Sequence, residues 1–264
     1  MTRKRPTVAD LKALKGKGQR TMLRYFSLDE AAAAEAAGID IASVAPSLVS
    51  HPRYRELAPT VFSMTGKTHL EYGAPDEYLK FCGEMLQAGA DALYCSGSLR
   101  TVEVLTREYI PIVGHVGLVP ARATWTGGYR AVGKTAASAL ALFHECRRYR
   151  EAGAFAVEIE VVPVEVATAI SQRLDLLLWS MGSGPGCDAQ YLFAEDILGE
   201  NRGHIPRHAK VYRNFAAELD RLQAERVKAF EEFRRDVEDG SFPEKTQTVQ
   251  MADGEYERFL KGLA

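Results

Sequence analysis

The chain has 264 residues, 46% of them apolar, enough for one large core or two modest ones. Its formal net charge of −2 offers no broad basic footprint for nucleic acid. No apolar run is long enough to span a membrane, and the basic start MTRKRPTVADLKALKGKGQR lacks the apolar stretch of a secretory signal, so a cytoplasmic protein with no nucleic-acid or membrane partner is expected.

Residues 1–19 read as an N-terminal helix or arm. TMLRYF (21–26) reads as a strand, followed by the helical SLDEAAAAEAAG (27–38), with acidic residues in its first turn and a stop glycine. IDIASVA (39–45) and APTVFSM (58–64) read as the next strands, with little room for a helix between them. APDEYLKFCGEMLQAGA (74–90) is an amphipathic helix. DALYCS (91–96), LRTVEVLTREY (99–109) and IPIVGHV (110–116) continue the alternation. After a long loop from Gly117 to Lys134 come the helix 135–153, the strand AFAVEIEVV (154–162), the helix 164–175 and the strand LLLWSMG (176–182). A glycine-rich stretch, GSGPGCD (182–188), precedes a short helix, and a long helix follows at 214–240.

Strand and helix thus alternate about seven times, with an eighth unit not assigned to particular residues. The pattern predicts one parallel (β/α)8 barrel domain over 1–264, with a shortened second βα unit and a helical extension at 211–264. A doubly wound sheet fits less well: the only GxGxG-like run, at Gly182, Gly184 and Gly186, comes late and is a weak dinucleotide signal. Cys82, Cys95, Cys146 and Cys187 show neither CxxC nor zinc spacing and read as reduced thiols.

One stretch asks for chemistry. VEIEVVPVE (157–165) carries Glu158 and Glu160 inside an apolar run. Two residues apart on a strand, they share a face, and if that face is inward each needs a partner or a raised pKa. Glu160, nearer the C-terminal strand end, stands where barrel enzymes keep catalytic groups. For Glu158, Arg24 at the end of the first strand and Lys67 after the third are the candidate partners.

Several stretches together resemble ketopantoate hydroxymethyltransferase: GHVGLVP (114–120), TGGYRAVGKT (126–135), EAGAFAVEIEVVPVEVA (151–167), GHIPRHAK (203–210) and VEDGSFP (237–243). The resemblance covers nearly the whole chain. It implies a barrel of the phosphoenolpyruvate/pyruvate superfamily type, in a homo-oligomer, that joins a one-carbon unit from 5,10-methylenetetrahydrofolate to a branched 2-oxo acid. It also implies Glu160 as the catalytic glutamate, Ser47 as a substrate contact and His115 as a site residue. TGGYRAVGKT is read as a border of the active-site mouth and of subunit contacts, rather than as a phosphate loop.

The family binds magnesium through two aspartates and a glutamate, and these fall on Pro46, about Gly66 and Ser96, none a carboxylate. The lysine expected two residues before the glutamate is Tyr94. Magnesium is therefore not expected at the family's site. The expectation becomes a diverged, metal-independent enzyme acting on a small 2-oxo acid through an enolate, with Glu160 as base. Arg24 and Lys67 would supply fixed positive charge in place of the ion, Lys67 alternatively as a Schiff-base lysine. Tyr94 and Ser96 are candidate hydrogen-bonding groups at the mouth, and His69 is a candidate substrate contact that could pair with Glu71 in acid–base or metal chemistry. A lyase, aldolase or hydrolase on another carboxylate and a non-catalytic ligand-binding relative are the alternatives.

Overall fold

The computed structural model of the protein describes residues 3–67 and 71–263. Eight parallel strands close into a barrel in sequence order: β1 Arg20–Arg24, β2 Ile41–Val44, β3 Phe62–Gly66, β4 Ala92–Tyr94, β5 Ile112–Gly117, β6 Ala156–Glu160, β7 Leu177–Met181 and β8 Ala189–Phe193, with β8 pairing back to β1. The strand β8 occupies the stretch that periodicity left unassigned, and β3 begins later than the expected 58–64. In both places the neighbouring strand sets the register rather than local composition: Ile41 pairs with Phe62, and Arg20 with Ala189.

Alternation along each strand sorts the side chains into two layers. Met22, Ile41, Phe62, Met64, Ala92, Val113, Ala156, Leu177 and Trp179 point inward and fill the barrel. Leu93, Ile112, Val116, Val157, Ile159 and Leu178 point outward beneath the helices. Helix α1 (Val8–Ala13), capped by Thr7 and Asp10, places Leu11 in the inner cluster. Just beyond it, Lys15 Nζ reaches Asp188 Oδ2 at 3.0 Å.

The outer helices begin and end where sequence signals predict. Helix α2 (Leu28–Ala37) starts on a capping box of Ser27 and Glu30 and stops at Gly38, whose φ of 78° suits glycine. Between β2 and β3 there is room only for two single turns, α3 (Pro46–Val49) and α4 (Tyr54–Leu57). Helices α5 (Pro75–Gln87) and α6 (Leu99–Arg107) flank β4. The long loop after β5 holds a short turn, α7 (Ala123–Thr126), before α8 (Ala136–Glu151) begins on a cap from Thr135. Helices α9 (Val164–Arg173) and α10 (Ala194–Leu198) follow β6 and β8.

By its contacts the chain divides into two units, Met1–Arg213 and Asn214–Ala264. The second consists of α11 (Phe215–Asp239), a 3-10 turn and α12 (Glu255–Lys261), with Phe233 packed edge-on against Phe242. The apolar stripe of α11, from Leu219 through Phe233, is exposed. All four cysteines are buried free thiols. Among the described residues no helix is long and apolar enough to cross a membrane.

Candidate active site

At the C-terminal end of the barrel the inward positions change from apolar to polar. Parallel pairing sets His115 beside Glu158 and Gly117 beside Glu160 across β5 and β6, and Arg24 beside Ser43 across β1 and β2. Inward alternation on β4, β6 and β8 adds Tyr94, both glutamates and Tyr191. A buried cluster of five ionisable or hydroxyl-bearing types results, in a layer where other barrels keep aliphatic side chains.

His115 is its hinge. Its Nε2 lies 3.0 Å from Glu160 Oε2 and 3.9 Å from Glu158 Oε1, and its Nδ1 is hydrogen-bonded to the Tyr94 hydroxyl. The imidazole and Glu158 are buried, and Glu160 is only slightly accessible. Burial pulls the His115 pKa down, but the Glu158 charge and the Glu160 hydrogen bond outweigh it, so the net displacement is upward. In the imidazolium form Nε2–H donates to Glu160 and Nδ1–H to the Tyr94 oxygen, which frees the Tyr94 proton for Glu158. Burial, and then Glu160 beside it, raise the Glu158 pKa, against the pull of His115, Tyr94 and Arg24. Tyr94 stays a neutral phenol, since burial and the Glu158 charge push its pKa well up.

Arg24 closes the other side. Its Nη1 donates to Ser43 Oγ at 3.2 Å, and its guanidinium lies over the rings of Phe26 and Phe193. Tyr191 is within hydrogen-bonding reach of Ser43 and Arg24. The planar fork is thus held by the hydroxyls of Ser43 and Tyr191 and two ring faces, leaving donors free for a ligand.

The residues singled out from sequence therefore divide. Arg24, Tyr94, His115 and Glu160 come together. Lys67 does not: Gly66 takes the inward position, so Lys67 points to the helix layer, with Nζ 4.8 Å from the Phe81 ring centre. It holds neither Glu158 nor a substrate at the mouth, and the expected Glu158 partnership falls instead to His115, with Arg24 as a more distant contributor. Ser47 is exposed on the first turn of α3, and Ser96 is half-buried beyond the end of β4. His69 lies outside the described residues. Ser43 and Tyr191 were not anticipated. Ser43 could have been found by counting inward from Ile41, whereas Tyr191 sits on the strand that periodicity did not resolve.

Two backbone features shape the mouth. A Cβ on Gly66 would lie 2.5 Å from the Tyr94 carbonyl oxygen and 2.9 Å from its Cβ, so β3 can present no side chain there. Val161, directly after Glu160, is held at φ 49°, rare for a β-branched residue, by bonds from its N–H to Met181 and to its carbonyl from Val132. That turn lets Glu160 enter the barrel while the chain leaves sideways into α9.

A closed eight-stranded barrel with its polar groups gathered at the C-terminal strand ends has the architecture of a TIM-barrel enzyme. Solved structures with this fold include 2,3-dimethylmalate lyase, described as a PEP mutase/isocitrate lyase superfamily member, at TM-score 0.53 and 14% identity, covering 98% of this chain and 100% of the other. Another is oxaloacetate acetylhydrolase, at TM-score 0.56 and 13% identity, over 90% and 98% of the two chains. The chain itself belongs to the ketopantoate hydroxymethyltransferase family, whose profile matches residues 59–245. It is 34% identical to the 3-methyl-2-oxobutanoate hydroxymethyltransferase of Hyperthermus butylicus over 98% of this chain and 96% of the relative, and 32% identical to that of Thermotoga neapolitana over 89% and 93%. It is an enzyme of the transferase or lyase kind.

Proposed function

We propose that the enzyme converts a small branched 2-oxo acid to its enolate and joins the enolate carbon to a one-carbon electrophile, without magnesium at the family's position. The observation that carries this reading is Glu160, at the C-terminal end of β6 on the inner face, 3.0 Å from His115.

Glu160 takes the C3 proton, and the electron pair of the C–H bond passes through C2 to the oxo oxygen. The substrate's carboxylate and adjacent oxo oxygen lie side by side in the planar acid, which suits the two-pronged guanidinium of Arg24. Positive charge at that oxygen is worth most in a site from which water is excluded. His115 and Tyr94 fix the Glu160 carboxylate and the proton distribution around it. The enolate carbon then attacks the one-carbon electrophile, its C=C electrons forming the new bond while the oxo C=O re-forms; with a methylene donor the bond from that carbon to the donor nitrogen breaks, and water supplies the hydroxyl oxygen. Family membership supports 5,10-methylenetetrahydrofolate as its source and a homo-oligomeric, cytoplasmic enzyme as its setting.

Magnesium prefers hard oxygen donors. By the family resemblance the positions that would supply them fall on Pro46, about Gly66 and Ser96, and at Gly66 the Tyr94 backbone leaves no room for a carboxylate. The residues present do not fit the ion in that arrangement, so no step is routed through it. His115, Glu158 and Glu160 do bring three donor atoms within 4.8 Å of one another, the only such group among the described residues. In our reading their contacts with each other and with Tyr94 take the place of an ion.

The test is deuterium exchange at C3 of 2-oxoisovalerate in D₂O, followed by NMR with and without EDTA. Exchange that persists in EDTA and falls about 10²–10⁴-fold in Glu160→Gln is the expected result. Loss of exchange in EDTA, restored by one divalent ion, would overturn the metal-free reading. Undiminished exchange in the variant would remove Glu160 as the base.

A further inference from the structure

Beside the barrel mouth lies a cleft of about 450 Å³ that the enolising cluster does not use. Its walls are the turn after β6 (161–164), the glycine loop after β7 at Gly182 and Gly184, and the outer face of β8. Lys134, Arg207 and His208 complete it, and no carboxylate lines it. Among the described residues neither Lys134 nor Arg207 is engaged in an ion pair.

The backbone that carries Arg207 is held in place. Arg207 and His208 lie on the segment after α10, which is pinned by a bond from the Tyr212 N–H to the Ile197 carbonyl at 2.8 Å and from Asn201 Nδ2 to the buried Asp196 at 2.9 Å. The His208 ring packs so closely on Gly182 that a Cβ there would approach it to 2.9 Å. Lys134 comes from a different part of the chain, directly before the Thr135 cap of α8. The stretch GYRAVGKT (128–135) carries the G-x-x-x-x-G-K-T spacing of phosphate loops. What precedes it is the short turn α7 rather than a strand, so it is no nucleotide-hydrolysing loop; the lysine nonetheless faces a cleft.

Two exposed cations from separate segments thus line one cleft that has no carboxylate of its own to balance them. The loops after strands 7 and 8 are also where barrel enzymes often hold a ligand's phosphate. The volume exceeds what a lone anion needs and suits part of an organic molecule as well. The cleft adjoins the base: Val161, its next residue, lines it, and the Glu160 charge acts on His208.

We propose that this cleft binds an anionic group, carboxylate or phosphate, carried by the reaction's second substrate, with Lys134 and Arg207 as its counter-charges. Assigning the anion to the second substrate rests on the enolising role of Glu160; the anion site itself does not. The test is calorimetric titration of the full-length chain at low ionic strength with inorganic pyrophosphate and, separately, with glutarate. Saturable one-to-one binding of at least one probe is expected, and the probe that binds identifies the anion. The double variant Lys134→Gln/Arg207→Gln should weaken it at least tenfold, while Glu160→Gln should bind it at least as tightly as the unmodified chain. Both cations are exposed, so the double variant should keep its melting temperature, which a thermal scan confirms. No saturable binding of either probe, or equal binding by the double variant, would overturn the anion site. Failure of Glu160→Gln in the exchange assay leaves that result untouched, so the two readings fall separately.

Discussion

Neutralising Glu158 is the sharpest probe of the buried cluster. The Glu158→Gln side chain keeps shape and hydrogen-bonding capacity while removing one negative charge 3.9 Å from His115 Nε2. Two unit charges about 4 Å apart interact by about 4 kcal/mol at an effective dielectric of about 20. Glu160 remains in contact with the imidazole, and rearrangement in the variant will soften the loss. Even a third of that coupling moves the histidine midpoint by about one pH unit, since each unit corresponds to about 1.4 kcal/mol. The His115 pKa, raised above its ordinary value in the intact cluster, should therefore fall markedly. The assay is NMR of protein labelled at the histidine Cε1, titrated from acid to alkaline pH. The chain has six histidines, and a His115→Asn sample identifies the right signal. A midpoint unmoved by Glu158→Gln would show that the two groups are not coupled, and the proton arrangement built on them would fail.

The remaining predictions follow from the same geometry. Glu158 and His115 hold protons more tightly in the folded chain than at their ordinary values of 4.5 and 6.5, so their stabilising contribution is complete below those values and is lost as pH rises through the raised ones. Urea unfolding between pH 5 and pH 9 should show a decline that is shallower in Glu158→Gln; an equally steep decline in the variant would place its origin elsewhere. Gly66→Asp, which places a carboxylate on β3, should cost about 1–3 kcal/mol of stability by forcing the Tyr94 backbone aside, and should not make exchange magnesium-dependent. Unchanged stability in urea would show that β3 has the room denied to it here. Arg24→Met should raise the KM for 2-oxoisovalerate at least tenfold, and Arg24→Lys should recover little of it, because an ammonium cannot span two oxygens; full recovery by lysine would leave only a point charge to the role.

What the sequence made legible, and what it did not, follows from the range of the forces involved. The barrel could be read because each strand–helix unit carries its own signals: the Ser27 cap, the stop at Gly38, the amphipathic 74–90 stretch. The eighth strand could not, because AQYLF is half exposed on its outer face, and what makes it a strand is a gap between β7 and β1 that only the closed barrel defines. Glu160 and His115 were visible through family motifs and strand-end position. That Glu158 would meet His115 depended on the β5–β6 register, a relation between segments more than forty residues apart. Lys67 was misplaced for a local reason, since a one-residue error at the end of β3 turns a side chain from the barrel into the helix layer.

The charge balance of the mouth explains why its polar groups form a set rather than a collection. With His115 protonated, two cations, Arg24 and the imidazolium, face two carboxylates, Glu158 and Glu160. In the proposed step an arriving 2-oxo acid brings a carboxylate charge that stays on its carboxylate, while the charge of Glu160 passes to the oxo oxygen as Glu160 takes the C3 proton. The negative charge thus migrates across the site during the step but does not grow. The guanidinium stands at one end of that path and the imidazolium at the other. The inward face of β3 could not take a carboxylate alone, because Tyr94, whose hydroxyl links His115 to Glu158, is the residue whose backbone closes it. A side chain at Gly66 would therefore disturb the tyrosine link.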